Sequence, residues 1–179
     1  QRPPLGATML DLLESEACET YTAVVVLELL ASLCKYQANR VRASILSAPA
    51  GGARLMETLA DNRDELRNAS LVLWTHLCGD DEEEEDQKGE EERSNHLSDE
   101  LRICCAFNEG FNHIQRLLQN SHNGTDPTDC CRLAANVLKG PPVVLTIFQD
   151  SAPDFGLRPY AKLLQVDQPS NNDDDDDDH

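Results

Sequence analysis

Aromatic side chains are scarce in this chain. They make up 4% of the 179 residues, and there is a single tryptophan. Sheet sandwiches are built largely on aromatic and β-branched residues, so this scarcity argues against a sheet-based fold. Leucine, alanine and valine recur densely instead, a mixture that favours helices packed through aliphatic stripes. The composition therefore predicts an all-α protein.

Basic residues are also few, with 15 lysines and arginines against 33 acidic residues and a net charge of -18. The sequence has no basic patch interleaved with aromatics, which is the usual mark of phosphate binding, so we expect no nucleic acid partner. Residues 79–93 and the aspartates at 173–178 together account for -14 of this charge. We predict a disordered acidic insert at 79–95 and a disordered acidic tail at 167–179.

Long apolar runs and catalytic motifs are both missing. The apolar run at 23–27 stops at Glu28, far short of a membrane span. No nucleophile elbow, phosphate-binding loop, dinucleotide fingerprint or zinc-peptidase motif occurs. We expect no enzyme, no catalytic residue, no cofactor and no metal site. An enzyme would instead require a pocket that gathers His76 with a thiolate or a carboxylate.

Seven cysteines are present, an odd number in a chain without a secretory leader, which favours reduced thiols in the cytosol. The doublets Cys104-Cys105 and Cys130-Cys131 raise the alternative of metal binding. Adjacent residues point to different sides of a helix, however, and structural zinc sites prefer spacings such as C-x2-C. We therefore interpret these residues as core thiols.

A repeat runs along the chain, marked by glycines that each open a short amphipathic segment. The glycines are Gly6, Gly52, Gly110 and Gly156, at intervals of 46, 58 and 46 residues. The middle interval is longer by twelve and contains the acidic run, as expected for an insertion into a loop. A period in the mid-forties is typical of HEAT and armadillo proteins.

Each copy continues with a polar joint, a longer helix and a third helix. The longer helices are predicted at 19–36, from about Asp64, which is placed to cap its helix, and at 127–139. The third helices are predicted at 39–47, 98–107 and 143–149. Three helices per unit favour the armadillo arrangement over the two-helix HEAT arrangement. We predict an armadillo-like helical repeat solenoid over residues 1–166.

The first long helix is apolar nearly all round, so we expect it in the interior of the stack. Its apolar residues are Tyr21, Val24, Val25, Leu27, Leu29, Leu30 and Leu33.

Polar residues recur late in each long helix, at Ser32, His76 and Asn136. The repeat places them at one equivalent position. Third helices line the concave surface of armadillo arrays, so these side chains are candidates for a partner groove. The alternative, that they are polar ends of ordinary helices, fits the sequence equally well.

Several short sequence motifs resemble those of the globular head of the general vesicular transport factor family, the Uso-type tethering proteins of the early secretory pathway. The resemblance runs from about residue 6 to 165. It is carried by Ser47-Ala48-Pro49, Arg54-Leu55-Met56, Leu59-Ala60-Asp61, Arg63, Leu66-Arg67-Asn68 and Ala106-Phe107-Asn108-Glu109-Gly110-Phe111.

The resemblance implies an armadillo-like head that captures vesicles. It implies a Rab-family small GTPase, SNARE-type fusion proteins and other Golgi tethers as partners. It also implies a cytoplasmic protein attached peripherally to Golgi and ER-to-Golgi transport membranes. Members of the family form homodimers through a coiled coil that is absent here. Since the chain opens at Gln1, we expect a fragment of a longer protein.

Two features depart from the family, the acidic insert and the turn Gly140-Pro141-Pro142. Both are predicted in loops, so the fold is expected to persist while local partner contacts differ. The sequence thus predicts a non-catalytic protein-interaction scaffold. The alternative is an acidic adaptor or chaperone whose carboxylates attract basic proteins.

Overall fold

A computed structural model describes residues 5–15, 18–80, 91–119 and 125–151. Within these ranges every regular element is a helix, which confirms the all-α prediction. The predicted fourth glycine-led helix, the acidic tail and residues 81–90 of the insert lie outside the described residues. The helices are α1 Leu5–Leu13, α2 Thr20–Leu46, α3 Gly51–Leu59, α4 Asp64–Leu77, α5 Glu91–Phe107, α6 Gly110–Gln119, α7 Pro127–Leu138 and α8 Pro142–Ser151.

Helix α2 unites two predicted helices. Gln37 interrupts it with a non-helical conformation, φ -143° and ψ 46°. The residues before Gln37 form a long arm, 20–36, and those after it form a short arm, 38–46. The sequence predicted these two pieces at 19–36 and 39–47, so the boundary falls where expected.

The helices repeat in groups of three along the chain. A third helix (the short arm of α2, then α5, then α8) follows each long helix (the long arm of α2, then α4, then α7). The glycine-led helices α1, α3 and α6 precede the long ones. Helix α2 packs most extensively on α4, and α4 packs in turn on α7. This stacking of successive long helices is that of a helical repeat array.

Two of the recurring glycines lie where a neighbouring helix comes too close to leave room for a side chain. The Gly6 amide donates to Ser44 Oγ at 2.6 Å, and a methyl group on Gly6 would lie 2.7 Å from the Ser44 backbone. A methyl group on Gly52 would overlap the sulfur of Cys104. Ser44 lies on the short arm of α2 and Cys104 lies at the matching position of α5. The same helix-to-helix contact therefore occurs twice.

The predicted interior position of the first long helix is wrong. Tyr21 is 79% exposed, Val25 41% and Leu29 47%, whereas Ala23 and Leu27 on the opposite side are buried. Helix α4 covers only that opposite side of the long arm. No other long helix in the described part of the chain covers the exposed side.

The cap predicted at Asp64 is also wrong. The N-cap position of α4 is Arg63, which makes no side-chain cap hydrogen bond. Asp64 is the first helical residue, and its carboxylate pairs with Arg67 instead. Asp64 and Glu65 in the first turn still stabilise α4, because their negative charges lie near the positive end of the helix dipole.

Both edges of the range 79–95, predicted as an acidic insert, carry defined structure. Helix α5 begins at Glu91, and Asp80 forms ion pairs with Arg102 and Lys139. Asp80 is the last described residue before the segment 81–90. It is attached to α5 through Arg102 and to the C-cap of α7 through Lys139.

Candidate functional site

A surface depression of about 290 Å³ lies between α4 and α7. We call it the α4–α7 depression. His76 and Asn136, two of the three residues predicted to share a groove, both line it, whereas Ser32 is not among its lining residues. Helix α4 contributes Val72, Thr75 and His76, and the segment directly after it contributes Gly79 and Asp80. Helix α7 with its C-cap contributes Asp129, Arg132, Asn136 and Lys139.

Asn136 ties the two helices together. Its Nδ2 donates to the Thr75 carbonyl oxygen at 3.0 Å, across the α4–α7 contact. Nearer the start of the two helices, Thr125 Oγ1 donates to Asn68 Oδ1 at 3.0 Å. These two bonds fix the register of α7 on α4, so the depression is bounded on both sides by positioned helices.

The half-buried His76 imidazole is biased toward its neutral form. Burial lowers its pKa below the ordinary value of 6.5, and the nearby cations Lys35 and Arg132 lower it further, while Asp129 opposes them. A neutral imidazole offers one donor and one acceptor. His76 therefore suits polar recognition at neutral pH.

The rim of the depression is charged and internally paired. Arg132 Nη1 lies 3.0 Å from Asp129 Oδ1, and Lys139 Nζ lies 2.6 Å from Asp80 Oδ2. The Asp80 pKa is lowered by the hydrogen bond from Lys139 first and by Arg102 as well. Small-molecule pockets are mostly apolar with few polar groups. This charged rim is better suited to the polar surface of a protein.

The depression places His76 beside two carboxylates, the arrangement that an enzyme would need. Both carboxylates, Asp80 and Asp129, are engaged by cations. Thr75 carries the hydroxyl among the lining residues, and it donates to the Leu71 carbonyl at 2.8 Å. A nucleophile activated by His76 would require a free hydroxyl or thiol in this place. The arrangement thus supports binding better than covalent catalysis.

One cysteine of each doublet lies in the core, and the other is partly buried. Cys105 and Cys130 are fully buried, and Cys104 and Cys131 are half-buried. Burial raises the pKa of Cys130 to about 12, and a hydrogen bond with Cys78 together with burial raises that of Cys105. These thiols stay protonated at neutral pH. Among the described residues, no group of three or more His, Cys, Asp or Glu side chains is arranged so that it could hold a metal ion.

Sequence reasoning missed a pair of buried arginines at the end of α4. Arg42 Nε donates to the Leu77 carbonyl at 3.0 Å, and its Nη2 donates to that of Gly79 at 2.6 Å. Arg102 Nε donates to the Cys78 carbonyl at 2.9 Å. The two cations neutralise the negative end of the α4 dipole. The sequence did contain a signal for these arginines. An aliphatic residue followed by arginine occurs at 41–42 and at 101–102, at matching positions of two third helices.

No helix in the described ranges combines the length and the apolar character that crossing a bilayer would require.

Comparison with known proteins identifies relatives in membrane traffic. The chain is 31% identical over 115 residues, 63% of its length, to general vesicular transport factor p115 of Homo sapiens, and equally to that of Bos taurus. It is 40% identical over 75 residues, 42% of its length, to Golgin candidate 6 of Arabidopsis thaliana. These matches confirm the resemblance to general vesicular transport factors.

The matched region spans only 8 to 10% of the relatives' own lengths. No protein-family model matches the chain, and no solved structure matches it.

Proposed function

We propose that this chain is part of a non-catalytic tether that captures vesicles in ER-to-Golgi and intra-Golgi transport. The observation that carries the proposal is the similarity to general vesicular transport factors over 115 residues. The similarity to a golgin candidate points to the same membranes. A helical array suits this role because it presents extended, rigid surfaces to other proteins.

The α4–α7 depression is the proposed partner groove. It is lined by the half-buried His76 imidazole and by the Arg132 and Lys139 side chains, whose exposed fractions are 59% and 52%. A Rab-family small GTPase is the proposed partner at this face. SNARE-type fusion proteins and other Golgi tethers would engage further parts of the array. Affinity would then arise from several modest contacts, with the protein held in the cytoplasm at the membrane surface.

A pull-down of the purified chain against GTP-loaded and GDP-loaded Rab proteins tests this proposal. We expect retention of at least one GTP-loaded Rab in clear excess over its GDP form. Arg132→Glu should weaken that retention, because it reverses charge at an exposed edge of the depression. Arg116→Glu is the matched control, since Arg116 is an exposed arginine on α6, away from the depression.

Equal weakening by both variants would show a general charge effect and would remove the α4–α7 depression from the proposal. Absence of any nucleotide-dependent retention across the Rab proteins of the early secretory pathway would reject the GTPase partner itself.

An acidic adaptor or chaperone is the second candidate, favoured by the charge of residues 81–90. This segment carries seven carboxylates and one lysine. The matched test keeps its length and changes every Asp to Asn and every Glu to Gln between 81 and 90. Asp80 is left intact, because its pairs with Arg102 and Lys139 belong to the fold. Loss of partner capture in this variant, with helicity unchanged, would favour the adaptor over the tether.

A further inference from the structure

The α4–α7 depression presents polar atoms that the fold does not use. Neither ring nitrogen of His76 forms a hydrogen bond with a described residue. Asn136 spends its Nδ2 on the Thr75 carbonyl, and its Oδ1 accepts no hydrogen bond within the described part of the chain. An imidazole offers a donor and an acceptor, and an amide oxygen offers an acceptor. A group that both donates and accepts a hydrogen bond would therefore satisfy this part of the depression.

A second pair of side chains lies one turn earlier on the same two helices. Val72 precedes His76 by four residues and Arg132 precedes Asn136 by four, so each pair shares a helix face. Val72 is 39% exposed and the Arg132 side chain 59%. Val72 offers an apolar surface, and the planar guanidinium of Arg132 can stack on an aromatic ring. The stacking pair and the hydrogen-bonding pair are separated by about 6 Å along the helices.

The charges at the rim disfavour a charged ligand. Arg132 is paired with Asp129, and Lys139 is paired with Asp80. A carboxylate would lie beside both aspartates, and a cation would lie beside both basic side chains, so either one would compete with an existing ion pair. The volume of about 290 Å³ is also at the lower limit of drug-sized ligand pockets, which hold roughly 300 to 1,000 Å³. The depression thus suits one uncharged side chain of a partner protein.

We propose that the α4–α7 depression receives a tyrosine side chain of the partner protein. The ring packs between Val72 and the Arg132 guanidinium, and the hydroxyl donates to Asn136 Oδ1 and accepts from the ring N–H of His76. Tyrosine joins a large apolar surface to a polar tip, and it is enriched among the residues that dominate interfaces. Leucine or phenylalanine would leave the polar atoms without partners. The inference rests on the proposed function, because it takes this depression to be the partner groove.

Neutral amino acid derivatives provide the probe, so that no partner protein is needed. N-acetyl-tyrosinamide is titrated into the isotopically labelled full chain, and backbone amide shifts are followed by NMR. N-acetyl-phenylalaninamide is the control for the hydroxyl, and N-acetyl-leucinamide is the control for the ring. The Val72→Asp chain tests the place of binding. Val143→Asp is its matched control, because Val143 lies on α8 and is 40% exposed.

We expect shifts at the amides of Val72, Gly79 and Asn136, with a dissociation constant of about 1 mM for N-acetyl-tyrosinamide, as for a fragment of its size. The phenylalanine derivative should bind about fivefold more weakly, which corresponds to one lost hydrogen bond, and the leucine derivative more weakly again. Val72→Asp should weaken binding by about tenfold or more, whereas Val143→Asp should not change it. His76→Leu should reduce the preference for tyrosine over phenylalanine, an effect that a purely structural role of His76 would not produce.

Unchanged shifts at about 20 mM probe, well above the expected constant, would overturn the inference, as would equal binding of the phenylalanine derivative. Equal binding by a folded Val72→Asp chain would overturn it too. Thermal melts show whether the variants are folded, and His76→Leu carries the test alone if Val72→Asp is not. Self-association in sedimentation that Val72→Asp abolishes would assign the depression to a second copy of the chain and would likewise overturn the inference.

The inference and the proposed function can fail separately. Probe binding by a chain that retains no Rab protein would reject the GTPase partner and leave the tyrosine site in place. Nucleotide-dependent Rab retention by a chain that binds no probe would reject the tyrosine site and leave the tether in place.

Discussion

At the scale of single residues, Arg42 shows how one side chain closes a helix end. It is 1% exposed and donates to carbonyl oxygens at the C-terminus of α4. Carbonyls in the last turn of a helix have no N–H partner within the helix, and the Leu77 carbonyl of α4 accepts from Arg42. A planar guanidinium with five donors can satisfy several of them at once. Arg42 therefore joins the short arm of α2 to the end of α4.

Replacing this arginine should be costly. We expect Arg42→Met to lower the free energy of unfolding by about 3 kcal/mol, since it leaves buried carbonyls without donors. Arg40→Met is the matched control. Arg40 is exposed and bonds locally to Gln37, so its loss should cost less than about 0.5 kcal/mol. Urea unfolding of both variants measures the difference, and similar losses would contradict the role assigned to Arg42.

Two histidines predict a stability change in mild acid. Burial lowers the pKa of both His76 and His113 in the folded chain below the ordinary 6.5. The unfolded chain therefore binds more protons below about pH 6.5, and the free energy of unfolding falls as the pH drops through that range. Lowered carboxyl pKa values, as at Asp61 and Asp80, remove stability only in stronger acid.

Urea unfolding at about pH 7.5 and about pH 5.5 tests this window. The wild-type chain should be less stable at the lower pH, and the double variant His76→Gln, His113→Gln should show a smaller difference. An unchanged difference in the double variant would show that other groups control the acid response.

Two of the three residues predicted to share a partner groove line the α4–α7 depression, whereas the hydrogen bonds between the two helices were not predicted. Equivalent repeat positions brought His76 and Asn136 to one depression, because α4 and α7 are neighbours in the stack. Ser32 lies one helix earlier and is not among the lining residues. The bond from Asn136 to the Thr75 carbonyl depends on the register of two helices. Periodicity predicts adjacency but does not determine such a register.

At the scale of helices, the glycine-led segments were the most predictable feature. Helices α1, α3 and α6 each start at or next to the glycine that marked the repeat. The boundary inside α2 also fell as predicted, although the chain bends there at Gln37 without a full break. The exposed side of the long arm could not be predicted. An apolar stripe has the same sequence pattern whether or not another helix covers it.

The contact between Gly52 and Cys104 yields a prediction for paired helices. Alanine is favoured over glycine inside a helix by about 1 kcal/mol. At Gly52, however, the added methyl would overlap the Cys104 sulfur on α5. We expect Gly52→Ala to destabilise the chain by about 1 to 3 kcal/mol, as overpacking does.

A second substitution separates overlap from other causes. Cys104→Ala removes the sulfur, so Gly52→Ala should cost less in the Cys104→Ala background than in the wild type. Thermal unfolding of the four chains forms a double-mutant cycle. An additive cycle would show that the close approach does not limit Gly52.

At the scale of the whole molecule, most of the net negative charge lies outside the described helices. Most of the net charge of -18 resides in two acidic stretches, and the described helices carry largely paired charges at their contacts. Long-range steering by the acidic stretches would weaken as salt is raised, with a screening length of about 8 Å at physiological ionic strength. Contacts with a helical face would be less affected by salt.

We propose that this chain captures vesicles through a Rab protein displayed on them. The direct measurement immobilises the chain on beads and counts the retained vesicles. The vesicles are made of phosphatidylcholine and phosphatidylserine and display a Rab protein of the early secretory pathway. We predict retention of vesicles with the GTP-loaded Rab and little retention of vesicles with the GDP-loaded form or without Rab. Equal retention of all three, or retention of none, would show that the chain does not capture vesicles through a GTP-loaded Rab protein.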